Sequence, residues 1–128
     1  MNLLLDTHTI LWFFWDDPQL SDPAKDVITD PANRKLVSAV SYWEIAIKVS
    51  FKKLDLGEPF RSFMTREIAR NCFEILPISL NHAAVVSDMA FHHRDPFDRL
   101  LIAQAIWENI PIVSAYTAFD AYPITRIW

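Results

Sequence analysis

The chain has 128 residues, enough for a single domain over residues 1–128 that buries roughly two thirds of its unfolded surface without staples. Its net charge of −4 argues against broad, nonspecific duplex binding, although bound metal ions can offset carboxylates locally. The single cysteine, Cys72, excludes an internal disulfide and reads as a core residue, which fits a reducing compartment.

In chain order, Leu3-Leu4-Leu5 reads as a strand buried on both faces, the habit of a central strand in a parallel sheet. Asp6 ends that strand. A carboxylate there stands where open α/β sheets bind ligands, and it equally suits the N-cap of the next helix. Thr7 to Trp15 reads as that helix, stopped by Asp16-Asp17-Pro18. No basic stretch precedes this first apolar region, and Ile10 to Trp15 is too short to span a bilayer, so a soluble cytoplasmic protein with no membrane partner is expected. Trp12, Phe13, Phe14 and Trp15 cannot all face one core at about 100° per residue. With five tryptophans in the chain, an exposed aromatic patch is expected there, and with it a homodimer or a protein partner.

Ser21 caps a second helix that runs to about Thr29. Lys35 to Ala39 is a strand, and Ser41 opens a helix that continues to about Lys53. Leu54 to Glu58 is a loop, and Pro59 to Asn71 a further helix. Phe73 to Ile78 reads as a strand, Asn81 to Phe91 as a helix, His92 to Pro96 as a break, and Phe97 to Glu108 as a helix. Ile110 to Ser114 is a short strand, followed by a turn of helix and a last strand near Ile124 to Trp128. Strands alternating with helices predict a three-layer α/β fold, a mainly parallel central sheet flanked by helices.

Three carboxylates fall where a strand gives way to a helix or at the mouth of a helix: Asp6, Glu44 and Asp98. Far apart in sequence, they are expected to converge on one sheet edge. Oxygen donors without histidine suit Mg²⁺ or Mn²⁺ and point to phosphoryl chemistry. Each has a purely structural alternative. Ser41-x-x-Glu44 is a capping box, Glu44, Lys48 and Lys52 form a charged ladder along one helix face, and the helix dipole alone favours Asp98. His8, His82, His92 and His93 show no ligand spacing and are left out. Arg94 and Arg99 flank Asp95 and Asp98, to pair with them or to meet a phosphate.

Four stretches together resemble the PIN-domain family, specifically the VapC-type toxin ribonucleases of toxin–antitoxin pairs. They are Leu4 to Trp12, Ser38 to Lys48, Asp95 to Ala105 and Tyr122 to Trp128, and in order and spacing they cover the chain. The resemblance implies a PIN-like, Rossmann-like fold and a Mg²⁺- or Mn²⁺-dependent endoribonuclease. Asp6, Glu44 and Asp98 match the family's first three acids and are the implied catalytic and metal-holding residues, with Asp95 in support. The family's fourth acid is missing, because Tyr116 stands at that position. Asp120, four residues on, is about one helical turn away, either to reach the site through water or to stand as an exposed loop acid. Lys48, Lys52 and Arg99 are candidates for touching RNA, with Lys53, Arg66 and Arg70 behind them. The resemblance also implies an antitoxin that covers the site. Contacts to it or to a second copy are expected on the Trp12 to Trp15 helix and on the helix with Phe60, Phe63 and Met64.

Two other readings compete. A haloacid-dehalogenase-like phosphatase wants a second aspartate two residues after the first, where this chain has His8. A PIN-like binding module without catalysis accommodates Tyr116.

Overall fold

Leu3, Leu4 and Leu5 have no solvent-exposed surface, because their strand has a neighbour on each side and a layer of helices over each face. The computed structural model describes residues 1–128. Its five strands are β1 (Asn2–Leu5), β2 (Arg34–Ser38), β3 (Glu74–Leu76), β4 (Ile112–Val113) and β5 (Arg126–Ile127). They pair in the order β3-β2-β1-β4-β5, and every pairing is parallel. Six helices connect them: α1 (Thr7–Phe14), α2 (Asp22–Thr29), α3 (Ala39–Ser50), α4 (Phe60–Arg70), α5 (Leu80–Asp88) and α6 (Pro96–Glu108). A 3₁₀ turn at Thr117–Ala121 precedes β5. This is the expected three-layer α/β fold. No helix is long and apolar enough to cross a membrane.

Alternation along β1 divides the core. Leu3 and Leu5 pack with Ile10 of α1 and with Ala24 and Ile28 of α2. Leu4 points the other way, into Leu101, Ile102 and Ala105 of α6. A third cluster joins Leu11 of α1, Ile45 of α3, and Phe63 and Met64 of α4.

Several local expectations change. Helix α3 starts at Ala39 with Ser38 as its cap, the Ser38 hydroxyl accepting from the Val40 N–H at 3.0 Å. The capping box built on Ser41 is therefore absent. The helix stops at Ser50, and Lys52 sits in a left-handed turn (φ 57°), so the charged ladder ends at Lys48. The strand expected at Phe73–Ile78 pairs only over Glu74–Leu76, since Pro77 has no N–H for a ladder. Cys72 is exposed, not core: it takes up the left-handed turn (φ 56°) between α4 and β3.

The aromatic run is covered mainly by its own chain. Trp12 packs on Trp128 (5.8 Å between ring centroids), and Phe13 and Phe14 pack on Phe73 (5.6 and 5.7 Å). Only Trp15 of the four is exposed. Phe63 and Met64 are buried in the core and Phe60 is half-buried on Tyr42, so the expected partner surface on α4 is largely used internally.

Because Leu4 is enclosed on the central strand, Leu4→Ala should cost about 2–5 kcal/mol. Urea unfolding should show it as a lower midpoint with an unchanged slope.

Candidate active site

The order of the strands fixes where a crevice opens. From β1 the chain builds outward through β2 to β3, then returns to the other side of β1 for β4 and β5. The connections after β1 and β4 therefore leave in opposite directions, and the carboxyl ends of these two strands flank a gap, the usual ligand position in such sheets. A cleft of about 360 Å³ lies there, lined by residues that include Asp6, Thr7, Glu44, Lys48, Asp95, Asp98 and Tyr116. The Thr9 hydroxyl donates to the Val113 carbonyl (3.0 Å), tying the start of α1 to the end of β4 at the gap.

Each acid is placed by local structure. Asp6 is the N-cap of α1 and accepts from the Thr9 N–H at 2.8 Å, so the capping role and the cleft position coincide. Glu44, one turn into α3, accepts from the Thr7 hydroxyl at 2.7 Å and pairs with Lys48 at 3.2 Å. The Ser41 hydroxyl lies 3.0 Å from the same Thr7 oxygen. Asp95 caps α6, accepting from the N–H groups of Phe97 (2.8 Å) and Asp98 (3.3 Å). Asp98, in the first turn of α6, meets Nε2 of His93 at 2.9 Å.

Burial pushes the Asp98 carboxyl above the usual aspartate range, and the negative charges of Asp95 and Glu44 add to this, while the hydrogen bond from His93 opposes it. The cleft thus gathers more negative charge than its own cations balance: Lys48 is the only lysine or arginine among its lining residues.

The PIN domain family matches residues 3–124 of the sequence. The chain belongs to the PIN domain family. PIN domains are generally nucleases and typically depend on divalent metal ions. Among curated proteins no sequence relative matches. Among solved structures, this PIN domain is similar to VapBC2 from Rickettsia felis bound to a promoter DNA fragment (TM-score 0.74, 18% identity, 98% of this chain and 97% of that chain covered). It is also similar to VapBC-1 from nontypeable Haemophilus influenzae (TM-score 0.70, 14% identity, 98% and 96% covered). A third is a toxin–antitoxin complex from Klebsiella pneumoniae (TM-score 0.58, 17% identity, 94% and 92% covered). At these identities the likeness is one of fold.

Of the residues singled out in the sequence, Asp6, Glu44, Asp95, Asp98 and Lys48 line the PIN-domain cleft. Three do not. Asp120 is held by Arg126 through two hydrogen bonds (2.8 and 3.1 Å), which keep its carboxyl below the usual range and leave it outside the cleft. Arg99 is buried and donates to the carbonyls of Val86, Ala90 and His93 (3.2–3.4 Å), so it anchors the loop before α6 and is closed to RNA. Lys52 lies beyond the far end of α3 from Glu44. His8 and His93 show no ligand spacing in the sequence. His8 lines the cleft, and His93 reaches Asp98 across a five-residue loop spacing that carries no periodic signal.

The donor set fits a hard divalent cation, being all carboxylate oxygen with unbalanced negative charge. No three His, Cys, Asp or Glu side chains are drawn tightly enough together to clasp an ion between them. Mg²⁺ commonly takes one or two carboxylates and keeps several waters, so the fit does not require a closed cage.

A carboxyl raised in the fold contributes its full stability below the ordinary aspartate value and loses it as pH climbs through the folded value. Asp98→Asn should therefore melt at a higher temperature than wild type at pH 7 without divalent ions. The difference should vanish as pH falls below the ordinary aspartate range, as calorimetry would show.

Proposed function

We propose that this PIN domain is a metal-dependent endoribonuclease, the toxin of a type II toxin–antitoxin pair, that hydrolyses RNA phosphodiester bonds in the cleft between β1 and β4. The observation that carries the reading is the gathering of Asp6, Glu44, Asp95 and Asp98 on one cleft at the switch point of a PIN fold. Asp6, Glu44 and Asp98 would hold Mg²⁺ or Mn²⁺. When bound, the ion supplies charge for the scissile phosphate and acidity for an attacking water.

The chain's own residues do the rest. The Thr7 hydroxyl fixes one oxygen of Glu44, and the cap bond from Thr9 fixes one oxygen of Asp6, so both carboxylates are oriented before substrate arrives. Lys48, half-buried beside Glu44, is the cation placed to meet a backbone phosphate at the cleft. Asp95 supports Asp98 by capping the first turn of its helix.

An antitoxin partner is supported by the likeness to the Klebsiella pneumoniae structure, a toxin–antitoxin complex. A homodimer in the cytoplasm belongs to the same reading. The exposed ring of Trp15, beside the covered Trp12, is what remains of the aromatic helix for such a contact.

Purified, partner-free protein should cleave RNA in Mg²⁺ or Mn²⁺, and Asp98→Asn should be slower by on the order of 100-fold or more, since several kcal/mol of charge stabilisation depend on that site. Cleavage that survives Asp98→Asn unchanged would overturn the assignment. Silence from wild type with activity in Tyr116→Asp would identify a disabled nuclease, and silence from both a binding module.

A further inference from the structure

The loop between α5 and α6 contains His92-His93-Arg94. What fixes it is Arg99, whose guanidinium donates to the carbonyls of Ala90 (3.2 Å) and His93 (3.4 Å). With its backbone held, the His93 side chain is 7% exposed, and its Nε2 lies 2.9 Å from Oδ2 of Asp98. The ring is boxed by aromatics, edge-on to Tyr116 at 5.3 Å and tilted against Phe119 at 5.7 Å. Tyr116 itself packs edge-on against Phe119 (5.3 Å) and lines the cleft. It occupies the position where the resemblance places a fourth acid.

Resting on the metal-nuclease reading above, we infer that His93 is a positioning residue that orients Asp98, and that the ring of Tyr116 covers His93 and holds it in place. A carboxylate bound through one oxygen presents the other in a fixed direction, and such outer partners govern metal affinity. The Tyr116 ring shields the bond between His93 and Asp98 from water, which strengthens it.

The test is Mn²⁺ binding to the full chain, followed by the paramagnetic resonance of the free ion and independent of any activity. Wild type should bind Mn²⁺. His93→Phe, which keeps the ring packing but removes the hydrogen bond, should bind about 10–100-fold more weakly. His93→Gln, which keeps an N–H donor, should recover most of the affinity, a rescue that a packing role would not give. Wild-type affinity in His93→Phe would overturn the role of His93. Wild type that binds no Mn²⁺ would overturn the metal-nuclease reading itself, and this inference with it.

Discussion

The burial of β1 on all sides organises this molecule. A strand whose Leu3, Leu4 and Leu5 are wholly enclosed can lie only in the middle of the sheet, with hydrogen-bonded partners on both edges. Parallel neighbours require crossover connections, and those connections supply the two helical layers. Asp6 follows as the first residue that cannot be enclosed. Its charge needs the α1 N-terminus and a crevice, and the reversal of strand order beside β1 provides both. The hydroxyl of Thr9 on the Val113 carbonyl then holds the two sides of that crevice together.

A second constraint is electrostatic. Four carboxylates on one cleft repel one another, and the fold offsets the repulsion piecemeal. Helix N-terminal N–H groups serve Asp6 and Asp95, the Thr7 hydroxyl and Lys48 serve Glu44, and His93 serves Asp98. The offset is incomplete at Asp98, whose carboxyl stays raised by burial and by its neighbours. Stability given up at such a place is the common accompaniment of a functional site. Capping a helix and facing the cleft are therefore not rival roles for Asp6: one oxygen serves the helix while the side chain still lines the cleft.

The aromatic residues show how far covering by the chain itself can go. Trp12, Phe13 and Phe14 span a wide arc of α1, yet Trp128 and Phe73, from the two ends of the sheet, reach them. Trp128 thus closes a surface that local periodicity leaves open. Large apolar groups remain exposed elsewhere, at Trp43, Phe51, Leu80, Phe91 and Trp107, on segments whose patterns gave no particular reason to single them out.

Local patterns along the chain specify the alternation of strands and helices, the central strand, and Asp6 and Asp98 at the starts of their helices. Those features are local: apolar runs, capping residues and prolines act within a few positions of themselves. Tertiary structure alone decided which polar groups meet. Asp120 was drawn to Arg126 and away from the cleft, and Arg99 was turned inward to carbonyls of the loop it follows. Glu44 found Thr7 across 37 residues instead of Ser41 within its own helix, and His93 found Asp98. Such pairings depend on distances set by packed helices and on competition for a few donors, and neither is encoded in the spacing of residues along one element.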